Sequence, residues 1–454
     1  MRLAIIGLLA LGAVPAHAGD ARDGSAAYGG WRDDRPGLTR HITEADLPAP
    51  GTQTVASNGA RVVPCPPGFS PRVPPGFAVD RVATGFLEPR TLRTAPDGAI
   101  FLAESGAGRI LVFPPDFATT GGAPSVFAEG LDQPYGIAFF PPGPAPAFVY
   151  VGESGRVLRF PYHPGARRAA GPAEVIIADL PQGGHWTRDL AAAPDGRHLY
   201  VAIGSASNLG EDMPPTPPGG LAAFAAAEGE ATPWGGAWGA ETGRAQVRVF
   251  DPDGRHAHAY ATGLRNCSGL AISPGSGAPQ GGDLWCVVNE RDMLGDDLPP
   301  DYATHLKPGG FYGWPWFYIG DHQDPRLAGR RPDLAGHVTV PDVLFQPHSA
   351  PLGVAFYLSG NFPAEYHGDA FVTLHGSWNR TLRTGYKLVR LLFHDGAPTG
   401  AYQDFLTGFA LDDDHVCGRP VGVTVTKEGA VLISEDANGA IWRVRWVGKQ
   451  QEEK

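Results

Sequence analysis

The stretch that decides the fold is "PDGAIFLAES", residues 96–105, in which a tight turn leads into a short apolar strand that ends in polar residues. The strand recurs five more times along the chain, as "VYVGES" (149–154), "LYVAIGS" (199–205), "LWCVVNE" (284–290), "AFVTLHG" (370–376) and "VLISED" (431–436). Each copy follows another apolar strand, and several precede a third, such as "GRILVF" (108–113). Antiparallel strands repeated in this way are typical of propeller blades. We therefore predict an all-β fold, a six-bladed β-propeller with long inserted loops on one face.

The six copies occupy residues 77–446, which we predict to be one propeller domain. Within it, residues 206–243 and 293–347 are too long for turns, so we expect them to be loops over one face. The stretch "FAVDRVATG" (77–85) can pair with the last blade and close the ring, which removes an exposed strand edge. Residues 19–76 lack periodicity and are predicted to wrap the propeller as an N-terminal extension.

The first eighteen residues, "MRLAIIGLLALGAVPAHA", have the pattern of a secretory signal peptide. Arg2 precedes an apolar run at 3–14 that is too short to span a bilayer, and Ala16-His17-Ala18 matches a cleavage site. A membrane anchor is the alternative, which the polar sequence after Ala18 disfavours. We predict cleavage near Ala18 and a periplasmic or secreted protein with no membrane span, ending in a polar tail at 447–454.

Four cysteines suit an oxidising compartment and allow three disulfide pairings. Cys267 and Cys286 flank one predicted hairpin, which favours that pair and leaves Cys65 with Cys417; free buried thiols are the alternative. The 36 basic residues are outnumbered by 47 acidic residues, for a net charge of −11. Because nucleic acid requires a cationic surface, we predict no nucleic-acid partner.

Antiparallel geometry sorts the polar residues of the blades by face. In each blade the first strand runs down the channel and the second returns, so the starts of first strands and the ends of second strands share one face. The strand starts then place a set of cationic, amide and aromatic side chains on that face: Arg90, Tyr135, His185, Trp186, Arg188, Arg265, Asn266 and Arg419. The strand ends add Glu104, Glu153, residues 289–292, residues 375–380 and Glu435-Asp436.

Several arginines that converge on one pocket need an anion, because unpaired like charges repel. Guanidinium groups match carboxylates in bidentate fashion, so we expect a small molecule with several carboxylates. The alternative is that each arginine pairs with a neighbouring acid, for instance Arg90 with Glu104.

His185 stands between Gly184 and Trp186, and no serine or cysteine nucleophile accompanies it. A neutral imidazole can take a proton from a hydroxyl, so we predict a general base. We expect Gly183 and Gly184 to turn the backbone tightly, Trp186 to pack against the loop, and His185 to project from a rigid strand start. A structural histidine bonded to a loop carbonyl is the alternative.

Seven motifs in chain order make the sequence resemble the pyrroloquinoline quinone (PQQ)-dependent sugar dehydrogenases of the sorbosone and pyranose dehydrogenase type. They are "GGHWTRDL" (183–190), "ATGLRN" (261–266), "NERD" (289–292), "PPDY" (299–302), "GGFYGWP" (309–315), "HGSWNR" (375–380) and "GRPVG" (418–422). The resemblance covers roughly residues 75–446. It implies a six-bladed propeller that holds PQQ, a tricarboxylate, on its loop face with Ca²⁺ beside it. It also implies an exported oxidoreductase that oxidises a sugar or sugar aldehyde.

The resemblance assigns roles to individual residues. His185 would remove the hydroxyl proton while hydride passes to the quinone, with Arg265 as the second catalytic residue. Five residues would bind PQQ: Arg90, Arg265, Asn266, Lys387 and Arg419. Backbone oxygens of Arg291 and Asp292 would hold Ca²⁺, which prefers hard oxygen donors. Four residues would line the substrate side: Tyr135, Trp186, Trp378 and Asn379.

The chain has no Cys-x-x-Cys-His haem motif, so electrons must pass to a separate acceptor, a quinone or a cytochrome. Two other functions stay open. A calcium-dependent lactonase or hydrolase on the same fold would direct several carboxylates at a metal, whereas arginines dominate these strand starts. A non-catalytic binding propeller is the other, because fold alone does not decide function.

Overall fold

The repeated strand of the sequence is the second strand in each of six antiparallel sheets, as the repeat predicted. The structure is a computed structural model that describes residues 20–227, 234–275 and 282–448. The predicted signal peptide at 1–18 and most of the predicted tail at 447–454 lie outside these residues. The fold is a six-bladed β-propeller.

We call the sheets blades 1 to 6 and give their strands from the innermost to the outermost. Blade 1 contains Pro89–Thr94, Ile100–Glu104, Arg109–Phe113 and Ser125–Glu129; blade 2 contains Ile137–Phe140, Phe148–Gly152, Val157–Pro161 and Glu174–Ile177; blade 3 contains Leu190–Ala192, Leu199–Ile203, Gln246–Phe250 and His258–Thr262. Blade 4 contains Cys267–Ile272, Leu284–Val288, Tyr302–His305 and Val343–Leu344; blade 5 contains Pro351–Phe356, Ala370–Leu374, Lys387–His394 and Ala397–Leu406; blade 6 contains Pro420–Val425, Val431–Glu435, Ala440–Trp446 and Phe77–Thr84.

The remaining elements are short. Strands outside the four-strand blades are Ala21–Asp23, Thr39–His41, Arg61–Val62, Gly310–Phe311, Phe317–Tyr318, His322–Gln323 and His415–Val416. The α-helices of the described residues are Phe117–Thr120 and Leu221–Ala227, and the 3-10 turns are Gly24–Tyr28, Trp31–Asp33, Glu44–Asp46, Ser105–Ala107, Gly239–Glu241, Pro325–Leu327, Pro332–Leu334 and Ala364–Tyr366. Across the described ranges, no helix has the length and apolar character that a membrane span requires.

The prediction that residues 293–347 form only a loop was wrong. Tyr302–His305 and Val343–Leu344 from this stretch are the two outer strands of blade 4. They are four and two residues long, too short to show the alternation of polar and apolar residues by which a strand is recognised.

Each innermost strand packs against the innermost strand of the next blade, and blade 6 meets blade 1. Four glycines make this approach possible, because a Cβ at any of them would collide with backbone of the neighbouring blade: Gly136, Gly269, Gly353 and Gly422. The predicted closure is confirmed, since Phe77–Thr84 pairs antiparallel with Ala440–Trp446. The first and last parts of the propeller therefore share one blade, and the ring has no open edge at this point.

The N-terminal extension adds to the outside of the ring at two places. Thr39–His41 pairs with the outer strand of blade 5, and Arg61–Val62 pairs in parallel with His415–Val416. Disulfides join Cys65 to Cys417 and Cys267 to Cys286, the favoured pairing. The first of these ties the extension to the loop before blade 6.

A buried group of four charges attaches the extension to blade 5. The Arg40 guanidinium donates to Asp404 at 2.9 Å and to Asp34 at 2.7 Å. The Lys387 ammonium lies 2.7 Å from Asp34 and 2.8 Å from Asp404 and donates to Gln346 at 3.1 Å. The four side chains are at most 6% exposed, and because each cation contacts both carboxylates, every charge is compensated.

Asp34→Asn is expected to lower the free energy of unfolding by about 3–5 kcal/mol, because Lys387 and Arg40 would then share a single buried carboxylate. Equilibrium unfolding in urea measures the loss. Asp253→Asn is the control, since it removes an exposed ion pair with Arg255, and its unfolding midpoint should stay close to wild type. A midpoint for Asp34→Asn as high as that of the control would contradict this account.

Candidate active site

The predicted site residues from different blades meet on one face of the propeller. Trp186, before blade 3, lies edge-on to Tyr135, before blade 2, with ring centroids 5.8 Å apart. The Arg90 guanidinium of blade 1 lies 5.4 Å from the centroid of the same tryptophan ring. Arg90 also forms an ion pair with Asp436 of blade 6 at 2.9 Å. The alternative in which Arg90 pairs with Glu104 is not found, because Glu104 pairs with Arg109 at 2.5 Å; the acid that Arg90 contacts belongs to another blade.

His185 is held by the end of the neighbouring strand in blade 3. Its Nδ1 lies 3.0 Å from the Ser205 carbonyl and 2.9 Å from the Ser205 hydroxyl. That hydroxyl donates to the Ser207 carbonyl at 2.6 Å, so both oxygens act as acceptors toward the imidazole. Nδ1 must therefore carry the proton, and Nε2 keeps its lone pair.

The backbone around His185 differs in one respect from the sequence-based expectation. Gly183 and Gly184 do have left-handed φ values of +77° and +59°, as a tight turn requires. His185 itself, however, lies in the loop before blade 3, whose first strand begins only at Leu190. Contacts with surrounding loops, rather than a strand start, hold it in place.

Asn266 lies next to His185 because Gly204 leaves room for both. A Cβ on Gly204 would collide with the Asn266 Oδ1 and with the His185 Cβ. The Asn266 Oδ1 is buried and has no hydrogen-bond partner among the described residues. A buried amide oxygen without a donor is costly, which favours a ligand that donates to it.

The electrostatics around His185 favour the neutral imidazole. Burial is the main cause, and the positive charge of Arg265 adds to it, so that the pKa of His185 falls to about 3. Arg244 lowers the pKa further, while the Ser205 carbonyl and Asp292 act in the opposite direction. Near pH 7 the side chain is therefore able to accept a proton.

The Arg265 guanidinium donates all its hydrogen bonds to acceptors within the protein. Its Nε donates to the Asn208 carbonyl at 3.1 Å and Nη1 to the carbonyls of Asn289 and Glu290 at 3.3 and 2.8 Å. Its Nη2 donates to Asn208 Oδ1 at 2.9 Å and to Asp292 at 3.1 Å. These five acceptors match the five donors of a guanidinium. These bonds join three loops, and the charge of Arg265 lowers the pKa of His185. A contact of Arg265 with a ligand stays a prediction.

The segment expected to hold Ca²⁺ is also internally bonded. The Asp292 carbonyl accepts from Asn208 Nδ2 at 3.2 Å and from Arg291 Nε at 2.9 Å, and Arg291 pairs with buried Asp324 at 3.0 Å. Ca²⁺ binding through the Asp292 carbonyl would replace these bonds. In residues 20–227, 234–275 and 282–448, no three His, Cys, Asp or Glu side chains form a metal-binding group.

A second cluster on this face is formed by Arg90, His375, Arg419 and Asp436. Arg419 donates to His375 Nδ1 at 3.0 Å, and His375 Nε2 donates to Asp436 at 2.9 Å. Burial alone would raise the pKa of Asp436, but His375, Arg90 and Arg419 together hold it well below its usual value. With a neutral His375, two arginines and one carboxylate leave this cluster cationic.

Arg419 is the arginine of the site with donors to spare. Its guanidinium is only half-buried, and His375 is its sole side-chain partner in the described part of the chain. Arg90 adds a buried Nε that lacks a partner. Together with the unpartnered oxygen of Asn266, these groups fit a ligand that carries carboxylates and a hydrogen-bond donor.

Two other predicted residues, Lys387 and Asn379, are placed differently from expectation. The prediction that Lys387 binds the cofactor is wrong, because its ammonium is buried against Asp34 and Asp404 of the cluster that joins the extension to blade 5. Trp378 is 47% exposed at the rim. Asn379 is buried and accepts from the Met293 amide at 2.6 Å, so its amide orders the rim instead of facing a substrate.

Sequence reasoning did not single out Ser205 and Arg244, which organise the site, and it did not pair His375 with Asp436. Ser205 ends "LYVAIGS", so its alignment with the other strand ends could have revealed it. His375 and Asp436 also lie at strand ends, but only the fold shows that they pair. Arg244 follows the 206–243 insertion, where no motif signals a contact with the His185 loop.

Comparison with known proteins gives a match to the family model described as TrAA12-like over residues 71–222 and 333–447. The chain is 24% identical over 453 residues to the pyrroloquinoline quinone-dependent pyranose dehydrogenase of Coprinopsis cinerea, covering 84% of this chain and 56% of that protein. It spans about half the length of the curated relatives it matches.

Two solved structures share the fold. The holo form of the pyranose dehydrogenase PQQ domain from Coprinopsis cinerea has a TM-score of 0.65 and 21% identity, covering 84% of this chain and 98% of that chain. The calcium structure of Trichoderma reesei Carbohydrate-Active Enzymes Family AA12 has a TM-score of 0.62 and 23% identity, with coverage of 83% and 97%.

The His185 imidazole is expected to stay neutral well below pH 6.5, because its burial and the nearby Arg265 charge disfavour the imidazolium. The ¹⁵N and ¹H resonances of labelled histidine, assigned by comparison with His185→Asn, measure this directly. The Nδ1-protonated tautomer should persist toward pH 3, as far as the fold survives. A midpoint near 6.5 would contradict the burial and charge argument.

Proposed function

Because this chain belongs to the TrAA12-like family, we propose that it is a PQQ-dependent dehydrogenase that oxidises a sugar or sugar aldehyde. The observation that carries the proposal is the pairing, on one face, of a neutral His185 whose Nε2 is free with an Arg419 guanidinium that still has donors to offer. The name of the Coprinopsis cinerea relative supports both the cofactor and the pyranose class of substrate.

Arg419 and Arg90 would hold the cofactor through its carboxylates, and Asn266 would accept from a ring N–H. When bound, PQQ supplies a quinone carbon that accepts a hydride. Arg265 would act indirectly, through its charge and through the loops it joins. Lys387 takes no part.

His185 would accept the proton of the substrate hydroxyl at Nε2. The proton on Nδ1 remains bonded to Ser205, which keeps the imidazole oriented throughout. When the substrate hydroxyl loses its proton to Nε2, the electron density rises on the substrate carbon that gives up hydride. Trp186 and Tyr135 pack edge to face beside this site and would exclude water from one side of it.

We further propose Ca²⁺ as a second cofactor, beside the segment of Arg291 and Asp292. The calcium structure of the Trichoderma reesei protein supports this ion. Ca²⁺ beside a quinone would act as a Lewis acid. Because the Asp292 carbonyl is already hydrogen-bonded twice, its bonds to Asn208 and Arg291 would have to open.

The sugar would enter over the exposed Trp378, whose ring can cover the apolar face of a pyranose. Electrons would leave to a separate quinone or cytochrome. We also propose that the protein is exported to the periplasm or medium, supported by the signal-like residues 1–18 and by the two disulfides.

The purified protein is expected to reduce an artificial dye with an aldose or keto-aldose only when PQQ and Ca²⁺ are both supplied. Dye bleaching across a panel of sugars, with PQQ binding followed by absorbance, measures this. His185→Asn should bind PQQ normally but lose about 10²–10⁴ in kcat, the usual contribution of a positioned general base. Full dye reduction in chelator without any bound quinone would contradict the proposal, whereas Ca²⁺-dependent hydrolysis of a lactone without dye reduction would favour the hydrolase.

Arg419→Ala is expected to weaken PQQ binding by about 10- to 150-fold, the equivalent of about 1.5–3 kcal/mol for a charged hydrogen bond, with kcat at saturating PQQ nearly unchanged. Titration of the apoprotein with PQQ gives the dissociation constant. Arg32→Ala serves as the control, since Arg32 is exposed and pairs with exposed Asp413. Equal dissociation constants for the two variants would remove Arg419 from the cofactor site.

A further inference from the structure

We propose that Arg244 is a positioning residue for His185, which holds the His185 loop against the strand end that orients its imidazole. The proposal rests on the proposed function only for the identity of His185 as the base. The contacts that carry it are independent of any ligand.

The Arg244 guanidinium joins the two segments on either side of the imidazole. It donates to three carbonyls of the His185 loop: Gln182 at 3.0 Å, Gly183 at 2.5 Å and His185 at 3.5 Å. It also donates to the carbonyls of Gly204 at 3.1 Å and Ser205 at 3.2 Å. The first segment carries His185, and the second carries Ser205, the partner of its Nδ1. Arg244 thus sets the distance over which that hydrogen bond forms.

Arg244 is buried without an ion pair. The residue is 5% exposed, and no carboxylate lies within ion-pair distance among the residues that the structure covers. The nearby acid, Glu241, instead accepts from the amides of Ala206 and Ser207 at 2.7 and 3.0 Å. Burial lowers the pKa of Arg244. A buried cation held only by carbonyls is costly, so packing alone is a poor explanation for it.

Arg188 also donates hydrogen bonds to the His185 loop. It is fully buried and donates to the carbonyls of His185 at 2.9 Å and Thr187 at 2.7 Å, and also to that of Pro181. Arg188 belongs to the loop it braces, whereas Arg244 reaches it from the start of the third strand of blade 3. Arg244 therefore links the loop to Ser205, which Arg188 does not, and it does so beside the His185 N–H, which donates to the Ser205 carbonyl at 3.0 Å.

The charge of Arg244 also acts on the imidazole. The charged groups that influence His185 are Arg265 and Arg244, which disfavour the imidazolium, and Asp292, which favours it. Removal of Arg244 should loosen the Nδ1 contact with Ser205, which lowers the pKa of His185, and take away a positive charge, which raises it. The tautomer of His185 is therefore the readout that reports the placement of the loop. A role in packing alone would leave that tautomer unchanged.

The test compares Arg244→Gln, Arg244→Lys and Arg383→Gln in the full chain. Arg383 is the matched control, because its buried guanidinium also donates to carbonyls, those of Asp413 and Asn58, both at 2.6 Å and away from His185. Histidine NMR of the ligand-free protein should show a mixed His185 tautomer in Arg244→Gln. Arg244→Lys keeps the charge without the fork, so its His185 tautomer should be mixed as well. Arg383→Gln should match wild type.

Turnover gives the second readout. Arg244→Gln should lose up to about 100-fold in kcat, the effect of a small misplacement of a catalytic group, while the sugar KM and PQQ binding change little. Wild-type tautomer and kcat in a folded Arg244→Gln would overturn the proposal. If that variant does not fold, an unchanged tautomer in Arg244→Lys would overturn it. Absence of PQQ-dependent turnover in the wild type would count against the proposed function alone, and NMR would still decide the role of Arg244.

Discussion

Backbone-on-backbone packing between neighbouring innermost strands is the constraint on which the rest of this structure depends. Glycine near the start of four of these strands allows it, since a Cβ there would meet the backbone of the next blade. Side chains of blades 1, 5 and 6 are thereby brought within hydrogen-bond distance of one another, although they are far apart in sequence.

The arginines of the site divide by what they bind. Arg188, Arg244 and Arg265 are buried and donate mainly to backbone carbonyls, so they shape the loops around His185. Arg419 is half-buried and uses one donor on His375, which leaves the others for a ligand. The anion that the many arginines led us to expect would therefore bind mainly to Arg419, with Arg90 beside it. The remaining cations act on the charge state and placement of His185.

In two buried clusters, opposite charges compensate one another to different extents. Behind blade 5, Asp34 and Arg40 of the extension compensate Lys387 and Asp404, which attaches the extension to the ring. In the pocket, Asp436 compensates only part of the charge of Arg90 and Arg419. Complete compensation makes the first cluster structural. Incomplete compensation leaves the second able to attract an anion.

The sequence by itself determined the six blades and the closure by residues 77–85, favoured the disulfide pairing that the structure has, and predicted one face for His185, Asn266 and Arg419. These features follow from local patterns, because strand alternation, turn residues and spacing are written in short stretches. Only the tertiary structure decided which groups the charged side chains contact. Lys387 pairs with Asp34, Arg90 pairs with Asp436, and Arg244 donates to the His185 loop. A long charged side chain reaches any acceptor within several ångströms, and which acceptors lie there depends on how distant loops pack. A local sequence pattern does not indicate which acceptors these are.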